Sequence, residues 1–199
     1  MNPSIEALQN RIRLLEDQIE SEVQRRRESL HADFENTRIR FEREVIAAQK
    51  RFKAGLLSYV WHSSLLTILT APIIYAGIVP LLLMDLFVTV YQAVCFPVYG
   101  IAHVRRRDYF VFDRTHLAYL NLIEKINCAY CSYGNGVVAY AREITARTEQ
   151  YWCPIKHARR ALQTHPWYNG FTDFGDAEAW RKQLADLRRQ LEKNIPPGE

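Results

Sequence analysis

The chain has 199 residues, 48% of them hydrophobic and 24% charged, with a formal net charge of +4. That length allows one domain with a real core, or two small units and their connections. A surplus this small, interspersed with acids, excludes an electrostatic case for nucleic-acid binding.

The averages conceal a partition. Residues 1–54 carry eleven basic and ten acidic side chains, residues 55–104 carry Asp85 and no other charge, and residues 105–199 carry fifteen and eleven. The opening "MNPSIEALQNRIRLL" is charged and helical and does not read as a secretory signal.

Residues 1–54 read as one long amphipathic helix. Ile5, Leu8, Ile12, Leu15, Ile19, Val23, Leu30, Phe34, Phe41, Ala48 and Phe52 recur at spacings of three and four or their multiples, with no Gly or Pro between Pro3 and Gly55. So narrow a seam suggests a coiled coil, through self-association or a partner protein. The run "RRRESLHADFE" weakens it, because Arg26 or Arg27 stands where an apolar residue belongs. A single helix lying along the rest of the chain is the alternative.

Residues 55–104 read as a transmembrane helical hairpin. A spanning helix needs about 20 apolar residues, and the block between Lys53 and Arg105 has room for two. "AGIVP" at 76–80 is the expected break, since Gly77 and Pro80 disfavour a continuing helix. The expected spans are 55–75 and 80–102. Basic flanks at 50–53 and 105–107 place both outer ends, and so both termini, in the cytoplasm. Tyr59, Trp61, Phe96 and Tyr99 fit interfacial belts. Asp85 invites a transport role, but it falls near the far interface, and two helices line no pore without oligomerising. His62 and Cys95 read as packing residues.

Residues 105–175 form a candidate Cys/His domain. Asp113 is a plausible cap for a helix through "HLAYLNLIEKIN", and Pro154 suits a helix start in "CPIKHARRAL". Residues 176–199 read as an amphipathic helix capped by Asp173 or Asp176, with a frayed tail. The fold class is mainly α.

Four cysteines in an intracellular chain point to free or metal-bound thiols rather than disulfides. Cys128-x2-Cys131 followed by Cys153-x3-His157 is a Cys3His set, which suits structural zinc. Gly134 and Gly136 would permit a left-handed turn beside the thiolates. Cys153 at a helix start, with Lys156, Arg159 and Arg160 nearby, would have a stabilised thiolate. Geometry raises an objection: a straight helix over 137–152 is about 24 Å long and carries Cys153 away from Cys131. A β-hairpin, a broken helix or a returning loop would restore the set. An antiparallel helical pair would instead bring Asp113 and His116 to Cys153 and His157 as a mixed site. The cysteines also fit as small buried hydrophobes. Iron in either ligand set would make a redox or catalytic protein, the second functional reading; a dithiol pair and the Cys-Pro dipeptide of haem-responsive proteins are weaker signals. Gly-rich phosphate loops, Gly-x-Ser-x-Gly and His-Glu-x2-His do not occur.

"DLFVTVYQAVCFPVYGI", "RRRDYFVFDRTHLAYLN", "NCAYCSYGNG" and "EQYWCPIKHARR", within residues 80–162, resemble a family of bacterial membrane proteins without an established activity. The resemblance implies a bacterial inner-membrane setting and no catalytic residue. The sequence reading is thus a membrane-anchored, non-enzymatic scaffold, adaptor or assembly factor, with zinc holding a domain whose small core needs the added folding free energy.

Overall fold

In a computed structural model the chain is mainly helical. The structure describes residues 3–29, 32–35, 38–41, 43–55, 61, 64–159, 161–162 and 164–193. Leu30, Tyr59, His62, Arg160 and the tail 194–199, all used in the sequence reading, lie outside these. Contacts divide the chain into two units, Met1–His62 with Asp113–Cys128 and Ser63–Phe112 with Ala129–Glu199.

In the first unit, α1 (Pro3–Ser29) begins with proline at its first position, where the missing N–H is not needed. Ile12, Leu15, Ile19 and Val23 stand exposed along it. The helix does not continue to residue 54. After Ser29 come β1 (Ala32–Glu35) and β2 (Arg38–Phe41), antiparallel in a register from Ala32↔Phe41 to Glu35↔Arg38, and then α2 (Arg43–Lys50). The cause is a change of period. "ADFE" and "RIRF" alternate apolar and charged residues every second position, a strand pattern that the coarser helical spacing obscured. Asp113 does not start a helix either: Asp113–His116 is a single 3-10 turn.

The long helix α5 (Leu122–Trp152) starts instead at Asn121. The Asn121 side chain accepts from the Glu124 N–H at 3.0 Å, and the Glu124 carboxylate accepts from the Asn121 N–H at 2.8 Å. This reciprocal box satisfies two donors that the first turn leaves open. Residues 122–128 of α5 cluster with the first unit and the remainder with the second.

The second unit contains α3 (Leu65–Ala76) and α4 (Ile78–Tyr99). The expected hairpin between them does not form. Gly77 has φ −58° and ψ −15°, a right-handed helical conformation, so the chain continues in the same direction and Leu65–Tyr99 is one 35-residue helical run. Gly77 serves a close approach rather than a turn. A Cβ there would meet the Tyr130 hydroxyl of α5 at 2.7 Å, and that hydroxyl donates to the Ile74 carbonyl at 2.7 Å. Pro80 lies in the first turn of α4, where proline is tolerated. Gly100, at φ 68°, ends α4 in the left-handed conformation that favours glycine.

Residues 101–112 then return as a strap along α4 and α5. Ile101 and Val104 are buried in a core with Val88, Phe96, Tyr140, Ile144, Trp167, Phe171 and Leu191. Phe96 is therefore a core residue and not an interfacial one. Helix α6 (Ala177–Lys193) starts at Asp176, whose carboxylate accepts from the Ala179 N–H at 2.8 Å, and buries Leu187 and Leu191.

Candidate functional site

Helix α4 has two unlike faces. Asp85, Val88, Gln92 and Phe96 recur every three or four residues and are buried. Leu82, Leu83, Leu86, Phe87, Val90, Val94 and Val98 face outward and are exposed. The buried face thus carries two polar groups two turns apart, and each has found the strap.

Asp85 binds Arg106 through both carboxylate oxygens, at 3.1 Å from Nε and 2.6 Å from Nη2. Such two-point pairing fixes geometry as well as charge. Tyr133 of α5 donates to the same carboxylate at 3.0 Å, and the Arg106 guanidinium lies 3.9 Å over the Phe110 ring. The Asp85 hydrogen bond raises the Arg106 pKa further above its ordinary value. Asp85 is thereby engaged by a cation and a phenol.

One level along, the Gln92 amide accepts from the Val104 N–H at 3.0 Å, donates to the Val104 carbonyl at 3.3 Å and also meets the Tyr140 hydroxyl. The third level belongs to α5. Arg147 donates to Glu143 at 2.8 Å and to the Ala102 carbonyl at 2.7 Å, while the Trp167 indole donates to Glu143 at 2.9 Å. Glu149 and His165 pair at 3.0 Å beside them. Apart from a 3-10 turn at Arg106–Asp108 the strap is non-helical backbone, and these side chains supply partners to its Ala102 and Val104 polar groups.

The proposed metal ligands are placed otherwise. Cys131 lies near the start of α5 and Cys153 just past its end, so about 33 Å of helix separates them. The two halves of the Cys128, Cys131, Cys153, His157 set are not brought together within a chain. Among the described residues no three His, Cys, Asp or Glu side chains gather as metal ligands, so Asp113, His116, Cys153 and His157 form no such group either. The objection from helix length prevails because Gly134 and Gly136 are helical: positive φ occurs only at Gly100 and Gly175 among the described glycines. A Cβ at Gly136 would meet Phe110 Cδ1 and the Tyr109 carbonyl oxygen, both at 2.9 Å, so its small size admits the strap. Asn135 turns its amide back onto the Cys131 carbonyl at 2.8 Å and leaves the helix unbroken.

Cys153 also sits at the wrong end of a helix for activation. Its N–H bonds the Glu149 carbonyl at 2.7 Å, and the chain beyond is extended, with Lys156 N–H on the Thr172 carbonyl at 2.8 Å. Pro154 starts no helix there. Cys153 is an exposed residue, yet partial desolvation of its thiol and then the Glu149 carboxylate push it up rather than down.

Sequence reasoning missed Gln92, Arg106, Tyr140 and the Glu143–Arg147–Trp167 cluster. A signal existed for the first: Gln92 falls seven residues after Asp85 in a run with no other charge, which places both on one helical face.

No family model matches the chain, and no curated protein or solved structure is significantly similar to it.

Proposed function

We propose that the chain is a membrane-anchored, non-enzymatic scaffold or adaptor of the bacterial inner membrane. One observation carries this reading. Leu65–Tyr99 is the one helix among the described residues long and apolar enough to cross a membrane, and most of its large apolar side chains are exposed. Leu65 is 80% exposed, Leu69 71% and Ile73 74%. Apolar surface of this extent calls for a covering phase, and acyl chains supply one.

The neighbouring helix agrees with that environment, since α5 carries no formal charge from Ala129 to Ala141. Asp85, Gln92 and Arg147 of the second unit bond the strap, which is structural work rather than chemistry on a substrate. Exposed Ile12, Leu15, Ile19 and Val23 on α1 give a seam for a second copy or a partner helix. Zinc is not retained in the proposal, because the ligand pairs are held apart within a chain.

Alkaline extraction of membranes from cells making the full chain tests the anchor. The protein is expected to stay with the lipid. The double variant Leu69→Arg/Ile73→Arg, at about 3 kcal/mol per charge near a span centre, is expected to leave the membrane fraction. Release of the unaltered chain by alkaline wash, without detergent, overturns the anchor.

A further inference from the structure

The Asp85–Arg106 pair does more than tie the strap: it fixes where three consecutive arginines stand relative to the apolar helix. Leu65–Met84 contains no formal charge. Its 20 residues rise about 30 Å, the thickness of a bilayer's hydrocarbon core. Asp85 is the next residue, and Arg106 is bonded to it at 2.6 Å. The strap therefore brings Arg105, Arg106 and Arg107 back to the level of Asp85, the one formal charge in Leu65–Tyr99. Arg106 is held by Asp85 and Phe110. Its neighbours are not drawn inward: Arg105 is exposed, and the Arg107 side chain is 80% exposed, with a contact to Asp108 at 3.7 Å. Leu82, Leu83, Leu86 and Phe87 are exposed on α4 around the same level and suit acyl chains.

We propose that Arg105 and Arg107 bind the phosphates of anionic phospholipid headgroups at the membrane face where Leu65–Met84 ends, with Arg106 as the positioning residue that holds them there. The inference rests on the membrane reading above. Guanidinium groups match phosphate in charge and in two-point hydrogen bonding. The strap's polar backbone is compatible with this level, because Ala102 and Val104 take hydrogen bonds from the Arg147 and Gln92 side chains.

The test uses the full chain reconstituted in phosphatidylcholine vesicles, with trace spin-labelled phosphatidylglycerol or phosphatidylcholine, and reads the relative association of each with the protein surface. A basic side chain at a lipid surface is worth roughly five-fold in affinity. Selectivity for the anionic lipid is therefore expected to be several-fold and to fall toward one in Arg105→Gln/Arg107→Gln. The control Arg159→Gln/Arg181→Gln removes the same charge from exposed sites elsewhere and is expected to keep the selectivity. Equal association of both lipids with the unaltered chain, or selectivity unchanged in Arg105→Gln/Arg107→Gln, overturns the headgroup site while leaving the anchor standing. Absence of any motionally restricted lipid overturns the anchor and the site together.

Discussion

Gln92 and Val104, twelve residues apart, exchange two hydrogen bonds, the side-chain amide taking the place of a neighbouring strand. An extended segment between helices has no ladder of its own, so its N–H and C=O need partners from side chains. Glutamine alone among the side chains at this face offers a donor and an acceptor in the spacing of a peptide group. Gln92→Leu is expected to cost about 2–4 kcal/mol, because it strands two buried backbone groups and the Tyr140 hydroxyl. Gln92→Glu keeps the acceptor for the Val104 N–H and loses the donor. Amide exchange of Val104 separates them: fast in Gln92→Leu, still slowed in Gln92→Glu. Unchanged protection in Gln92→Leu would falsify the pairing.

Glycines 134 and 136 should respond oppositely to alanine. At Gly136 a methyl would lie 2.9 Å from a backbone oxygen and from an aromatic carbon, neither of which yields easily. Overpacking of this kind costs about 1–3 kcal/mol, more than the roughly 1 kcal/mol that alanine gains over glycine in a helix. At Gly134 the nearest atom is Leu81 Cδ1 at 3.3 Å, the end of a flexible side chain. Gly134→Ala is expected to be neutral or stabilising and Gly136→Ala destabilising, read as Tm in detergent. Equal shifts would remove the close-packing account of Gly136.

Much of the fold was legible because long apolar runs carry their own periodicity. The helices around Leu65–Tyr99 and Ala177–Lys193 follow from it, and Asp176 from capping chemistry. What misled were glycines. Gly77, Gly134 and Gly136 read as breaks when viewed alone, yet all three are helical, and at Gly77 and Gly136 another segment comes close enough to make small size the deciding property. Spacing of cysteines misled for the same reason: a Cys-x2-Cys pair says nothing about whether the intervening chain returns. The strap was illegible because Arg106 meets Asp85 across 21 residues with no local pattern linking them.

Cys153 is expected to be a slow nucleophile. Its thiol is pushed above the ordinary 9.0 by burial and by Glu149, so at any fixed pH the thiolate fraction is smaller than in a free peptide. With the other three cysteines replaced by serine, its alkylation rate should lie below that of a model thiol at pH 8. The rate should keep rising beyond pH 9. Glu149→Gln should raise it, though less than relief of burial would. Faster alkylation than the model peptide at pH 8 would restore the activated-thiolate reading.

The Glu143–Arg147 pair lies inside the second unit, its side chains 14% and 8% exposed. Removing one partner from a buried pair leaves the other charge uncompensated, which costs about 3–5 kcal/mol. Glu143→Leu is expected near that range, since it also orphans the Trp167 indole N–H, bonded to Glu143 at 2.9 Å. Glu143→Gln keeps an acceptor for the indole and should cost less. The double variant Glu143→Leu/Arg147→Met removes the stranded cation but leaves the indole and the Ala102 carbonyl without partners. It should therefore cost less than Glu143→Leu and Arg147→Met summed in denaturant stability, with a favourable coupling energy between the sites. Additive costs in that cycle would mean that the cation, not the pairing, sets the stability of this end of the strap.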